Sequence, residues 1–213
     1  RRQRQMCIRD SAGRKKLVRG KIVMKVIGIT GGVGSGKSAV LKLLEEEYHA
    51  VVVQLDEVAK ALQRKGTPCW KAIVEAFGRE ILDENEELDR KKLAQIVFQS
   101  SEKLEQLNGI VHPAVKQQVL LDIEEKRKEK TELYVLEAAL LLEAGYAKIC
   151  EETWFIYTEE SVRRERLKAS RGYSDERITD MIRSQSPEAY FRKNCTRVCL
   201  LYTSPSPRDY AAS

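Results

Sequence analysis

No apolar run in the 213-residue chain approaches the roughly 20 residues that a membrane-spanning helix requires, so no such span is expected. Residues 1–23 also lack the apolar h-region of a secretory signal. The five cysteines (Cys7, Cys69, Cys150, Cys195 and Cys199) are scattered without C-x-x-C spacing. That pattern indicates neither a zinc site nor a disulfide framework, and a reduced, cytoplasmic setting is its simplest reading. The net charge of +6 hints at a nucleic-acid partner until it is located. Residues 1–23 hold nine Lys or Arg against Asp10 alone, a local +8 that leaves −2 for residues 24–213. A slightly acidic body without interleaved aromatic and basic residues is not a nucleic-acid groove, so no nucleic-acid partner is expected.

What the chain does contain is one stretch around which the rest is arranged, Gly31-Gly32-Val33-Gly34-Ser35-Gly36-Lys37-Ser38. It follows the apolar run Val26-Ile27-Gly28-Ile29-Thr30 and precedes a helical pattern carrying Val40, Leu41, Leu43 and Leu44. Strand, glycine loop and helix in that order, with the spacing G-x-x-x-x-G-K-[ST], make a Walker A phosphate loop. Glycines let backbone N–H groups turn inward around a polyphosphate, and the helix N-terminus adds its positive end. ATP is therefore expected to contact Gly32, Val33, Gly34, Ser35, Gly36, Lys37, Ser38 and Ala39. Lys37 neutralises the outer phosphates and the Ser38 hydroxyl is the Mg²⁺ ligand.

The rest of the chain reads as an α/β protein of P-loop type, a three-layer fold with a parallel sheet, and 42% hydrophobic residues suffice for its core. Residues 49–55 predict a buried strand with Asp56 at its end, where open α/β sheets place ligands. Asp56 is either a group acting on the substrate or an N-cap for a helix beginning at Glu57. Helical spacing follows at 70–77, 88–98 and from Glu102 to about Lys130, with an interruption expected at His112-Pro113. Residues 133–140 and 153–157 predict two further strands. The roughly 75 residues between strands two and three exceed a simple crossover and form a helical insertion, a place for a second substrate. Arginines crowd 161–183 (Arg163, Arg164, Arg166, Arg171, Arg177 and Arg183), with a turn at Gly172-Tyr173-Ser174. They are either a solvated face bearing salt bridges or the cations of a mobile lid.

The expected organisation is a core of 24–56 and 131–160, a helical insertion of 57–130, and a lid of 161–186. Residues 1–23 and 199–213 are set apart. Met24 reads as the natural start, and both ends resemble translated adapter or vector sequence, a native disordered arm being the alternative. No clear final strand is expected.

Several segments together resemble the dephospho-coenzyme A kinase family. These are 27–38, Leu55-Asp56-Glu57-Val58-Ala59, Leu88-Asp89-Arg90, Ile96-Val97-Phe98, Leu107-Asn108-Gly109-Ile110-Val111-His112-Pro113 and 135–143. Arg166-Leu167, Ser170-Arg171-Gly172-Tyr173-Ser174, Gln185 and Phe191-Arg192-Lys193-Asn194-Cys195 continue the likeness, which spans about 25–198. Leu-Asn-x-x-x-His-Pro is its specific part. Gln54 stands where the family often has a second acid, Ala139 replaces a frequent proline, and the closing Ile-Asp-Asn-x-Gly is absent.

The resemblance implies transfer of the γ-phosphoryl group of ATP, with Mg²⁺, to the ribose 3′-hydroxyl of dephospho-coenzyme A. It implies Lys37, Asp56, Arg166 and Arg171 as catalytic residues. It also places Asp56, Arg90, Asn108, His112 and Glu137 at the substrate, Glu137 either holding Mg²⁺ through water or lining the site. No membrane partner is implied, and a monomer or weak homo-oligomer is expected. Another P-loop small-molecule or nucleotide kinase is the alternative.

Overall fold

Three apolar runs become the middle of a parallel sheet in the computed structural model of the chain, which describes residues 16–18 and 21–201. The strands are β3 (Lys25–Thr30), β5 (Leu133–Glu137) and β6 (Glu152–Tyr157), and almost every residue along them is buried. A strand without polar alternation must be covered on both faces. On one face Ile27, Ile29, Val135, Trp154 and Ile156 pack against Val40, Leu41 and Leu44 of α1 (Lys37–Tyr48). On the other, Phe155 stacks on Phe191 of α8 (Glu188–Asn194), ring centroids 4.8 Å apart.

The sheet order is β4-β5-β3-β6-β7, with β4 (Val51–Gln54) and β7 (Arg197–Leu200) at the edges. Two expectations are corrected here. The strand expected over 49–55 is shorter and only half-buried, because an edge strand has a neighbour on one side alone. A final strand also exists: Trp154 pairs with Arg197 and Tyr157 with Leu200, and Leu201 is buried beside them. The boundary expected at 198 therefore cuts through β7. Of the residues set apart at the start, 1–15, 19 and 20 lie outside the described residues, as do 202–213 at the end. Lys16–Val18 (β1) and Lys21–Val23 (β2) pair antiparallel in a separate two-stranded sheet.

The described residues divide into two units, one running up to Val52 and resuming at Lys130, the other Val53–Glu129. The second is helical. It holds α2 (Leu55–Leu62), α3 (Pro68–Phe77), α4 (Arg90–Phe98) and α5 (Ser101–Lys128). Three of these begin at side-chain caps: Thr67 accepts from Trp70 N, Asp89 from Lys91 N and Lys92 N, and Ser100 from Lys103 N. The break expected at His112-Pro113 does not occur, since α5 runs straight through Pro113. Val111, Val115, Val119 and Ile123 form one buried stripe on both sides of the proline, and α5 packs against α2, α3 and α4. Burial of that stripe outweighs the roughly 3 kcal/mol that an interior proline costs. Among the described residues no helix is long and apolar enough to cross a membrane.

The first unit continues through α6 (Glu160–Arg171) and α7 (Asp175–Arg183). At the N-terminal end of β6, Glu152 gathers three partners: Lys25 Nζ of β3 at 2.7 Å, Arg197 Nε of β7 at 2.9 Å and Trp154 Nε1 at 2.9 Å. Burial opposes the charge on Glu152, but the three hydrogen bonds outweigh it and bring its pKa down to about 2. A carboxylate depressed in the folded state contributes stability above its unfolded pKa and loses it as pH falls toward the folded value. Glu152→Gln should therefore destabilise the protein near neutral pH by about 1–3 kcal/mol, the scale of hydrogen bonds to a charged group. Its melting temperature should also fall less steeply than the parent's between about pH 5 and pH 3. Thermal melts across that range check both, and parallel curves would remove the network from the account of acid stability.

Candidate active site

The loop 31–36 leaves β3 at the carboxyl edge of the sheet and delivers the chain into α1. Gly36 is the N-cap of α1 at φ 88° and ψ 22°, left-handed backbone that a side chain rarely adopts. From there Lys37 turns back across the loop. Its Nζ donates to Gly31 O at 2.9 Å and stands 3.7 Å from the Glu137 carboxylate, both side chains being mostly buried. Glu137 reaches this place because β5 ends there, in register with Ile29 of β3. Ser38 follows on the exposed side of the first helical turn.

Helix α6 lies over the loop. A Cβ at Gly34 would come within 3.0 Å of Arg163 O and 3.1 Å of Leu167 Cγ, so the absent side chain is what lets the helix approach. Leu167 is the buried residue of α6, and it sets which face turns inward. Arg163 and Arg166 share that face. Arg166 Nη1 sits 3.5 Å from each of Gly34 O, Ser35 O and Thr158 Oγ1. Arg163 Nη1 lies so close to Gly32 that a Cβ there would stand 1.8 Å from it. Gln185, just beyond α7, accepts a hydrogen bond from Val33 N at 3.2 Å. Buried Thr158, at the end of β6, donates to Ser35 O at 2.9 Å.

The lid arginines divide. Arg164 pairs with Glu160 at 2.8 Å and also donates to Thr179, the solvated salt bridge that was the plainer reading. Arg171 and Arg177 flank the Tyr173 ring, 5.9 and 4.0 Å from its centroid. Arg171 is exposed at the far end of α6, so the structure brings Arg166 to the loop and does not bring Arg171 there. The turn expected at 172–174 is present, with Gly172 left-handed at φ 62° and Ser174 capping α7.

The other expected site residues belong to the helical unit. Asp56 is exposed in the first turn of α2, whose N-cap is Gln54. The helix starts two residues earlier than its pattern predicts, so Asp56 is not the cap, and its carboxylate faces the positive end from inside the first turn. Arg90 opens α4 and lines an open, charged groove with Lys60, Arg64, Glu57 and Glu87. Asn108 and His112 stand four apart on one face of α5.

Sequence reasoning missed Thr158 altogether and gave Arg163 no role apart from the other arginines. The available signal was phase: Arg163 stands four residues before Leu167, the one buried position in a strongly polar helix. Thr158 offered no signal, because its part depends on where β6 stops.

A family model for dephospho-CoA kinase matches residues 25–201. The dephospho-CoA kinase of Enterococcus faecalis is 40% identical over 163 residues, 76% of this chain and 81% of that protein. That of Carboxydothermus hydrogenoformans is 36% identical over 166 residues, covering 78% and 80% respectively. Among solved structures, TT1252 from Thermus thermophilus aligns with a TM-score of 0.72 at 31% identity, over 85% of this chain and 91% of that one. The dephospho-CoA kinase from Campylobacter jejuni, 21% identical, shares the fold with a TM-score of 0.61 over 87% and 90%. The phosphate loop, the parallel sheet that carries it and these matches across most of the chain agree: the chain belongs to the dephospho-CoA kinase family.

Proposed function

We propose that Lys37, Arg166 and Asp56 divide the work of this chain's phosphoryl transfer. The reaction moves the γ-phosphoryl group of ATP to the ribose 3′-hydroxyl of dephospho-coenzyme A, the final step of coenzyme A biosynthesis. The bond between the γ-phosphorus and the β,γ-bridging oxygen breaks, ADP leaves with the electron pair, and a bond to the 3′-oxygen forms. The hydroxyl proton must go elsewhere. Such a transfer has a loose transition state, so positioning and neutralisation of charge do most of the catalysis. The observation that carries the reading is Lys37, a cation held between Gly31 O and Glu137 at the mouth of a phosphate loop.

Arg166 supplies positive charge at the same loop from the lid, and Asp56 accepts or orients the hydroxyl proton. Arg90, Asn108 and His112 contact dephospho-coenzyme A from the helical unit. Magnesium fits the donor set: Ser38 and Glu137 offer hard oxygens, and Mg²⁺ takes few protein ligands beside substrate phosphates. Ser38 would hold the ion, which would offset the charge of the outer phosphates. The slightly acidic body and the scattered cysteines support a cytoplasmic protein acting without nucleic acid.

An acceptor screen with ATP and Mg²⁺ tests the function directly. Dephospho-coenzyme A should be phosphorylated, and AMP, shikimate and water should not. In the same assay Lys37→Ala should abolish transfer and weaken ATP binding in calorimetry, while full activity would place the reaction elsewhere. Arg166→Ala should lower kcat by about 10³ while the fold stays intact, the scale of an arginine acting on the transferred group. Arg171→Ala should stay within about tenfold of the parent, since its guanidinium faces Tyr173. Asp56→Asn keeps the shape and removes the charge, so kcat should fall at least about a hundredfold with ATP affinity kept. Any residual activity should rise with pH, and near-parental kcat would retire Asp56 as the base.

A further inference from the structure

Two buried side-chain polar atoms among the described residues have no hydrogen-bond partner, Ser35 Oγ and Arg163 Nε, and both lie at the phosphate loop. Buried orphans are scarce in native proteins, and at a binding site the missing partner is commonly the ligand. Ser35 is part of the loop itself. Arg163 is not: it comes from α6, and its Nη1 rests against Gly32. A pocket of about 310 Å³ opens beside it, walled by Gly32, Gln185 and Ser186 with Phe155 and Phe191 behind.

The acids nearest to Arg163 are occupied. Glu160 pairs with Arg164 at 2.8 Å and Glu188 with Arg192 at 2.5 Å. Arg163 thus stands in a pocket with carboxylates nearby and an ion pair with none of them among the described residues. Burial lowers its pKa, and the fields of Glu160 and Glu188 offset that only in part. Arg166, one turn on, is placed differently, against carbonyl oxygens of the loop.

We infer that Arg163 is a further catalytic residue, whose guanidinium binds the transferred phosphoryl group at the Gly32–Val33 tip of the phosphate loop. The inference rests on the proposed phosphoryl transfer and adds a second arginine to it. Planar guanidinium donors match the equatorial oxygens of a metaphosphate-like transition state, and a desolvated site strengthens the contact. Gln185, fixed on Val33 N, holds the neighbouring amide and lines the same pocket. Because the charge on those oxygens is greatest in transit, the contact belongs to the transition state more than to bound ATP.

The test compares the parent with Arg163→Met, which keeps the aliphatic stem, and Arg163→Lys, which keeps the charge. Arg163→Met should lower kcat by about 10²–10³ with KM for both substrates within about threefold. Arg163→Lys should recover part of that loss. The deciding readout is capture of ADP with aluminium fluoride, a planar stand-in for the phosphoryl group, in the presence of dephospho-coenzyme A. The parent should form that complex, whereas Arg163→Met should bind MgADP with parental affinity and fail to trap the fluoride. A kcat within threefold of the parent, or a lowered kcat with parental fluoride trapping, would overturn the assignment. A Met variant that melts early leaves Arg163→Lys to decide: a kcat below the parent's with weakened fluoride trapping, at a parental melting temperature, supports the guanidinium contact, and parental kcat and trapping overturn it. A parent that phosphorylates no dephospho-coenzyme A would instead fail the proposed function, which separates the two failures.

Discussion

A loop that turns its amides inward to receive an anion must turn its carbonyls outward, and something outside the loop must take them. In this chain the takers come from several elements. Lys37 holds Gly31 O, Thr158 holds Ser35 O, and Arg166 hovers over Gly34 O and Ser35 O. Ser35 N closes the turn onto Gly32 O. The phosphate loop is therefore shaped by β6 and α6 as much as by its own glycines. Unsatisfied buried carbonyls cost free energy, so the same bonds that fold the region hold the amides in place before ATP arrives.

Stability and chemistry are concentrated at opposite ends of the same strands. At the N-terminal end of β6, Glu152 ties β3, β6 and β7 together through Lys25 and Arg197. At the C-terminal ends lie the loop, Glu137 and Thr158. Parallel strands make this division natural, since every helix N-terminus that follows a strand opens at the carboxyl edge. Fixing the register at one end fixes where each functional side chain emerges at the other. Trp154 pairing with Arg197 carries β7 to Leu201, whose carbonyl also faces Thr158 Oγ1 at 3.2 Å.

The parts of this design that were legible in the sequence are those imposed by local chemistry. The phosphate loop declares itself because few residues but glycine adopt its backbone, and β5 and β6 because doubly covered strands must be apolar throughout. The parts that were not legible depend on partners distant in sequence. Pro113 looks like a helix end until the Val111–Ile123 stripe is seen to be buried on both sides of it. Arg197–Leu200 is too short to declare itself, and becomes a strand by pairing with β6 and by the Arg197–Glu152 contact. Asp56 looks like a cap because acids favour helix starts, yet the helix begins at Leu55. Among the arginines, composition could not separate Arg163 from Arg171, and only the packing of Leu167 distinguishes them.

That packing leaves the protein with a cost and a use for it. An unsatisfied buried donor typically costs about 1–3 kcal/mol, and Arg163 Nε is such a donor. Removing the cost would be simple: a carboxylate reaching Arg163 would suffice, and Glu160 and Glu188 stand near it. Each is instead held by another partner, Arg164 or Arg192. A neutralised arginine would add nothing to a phosphoryl group, because its donors would already be taken and its charge cancelled. Keeping those acids occupied keeps the cation available at the loop tip. The Glu160–Arg164 pair of α6 and the Glu188–Arg192 pair of α8 thus have a role beyond the small stability that exposed ion pairs supply.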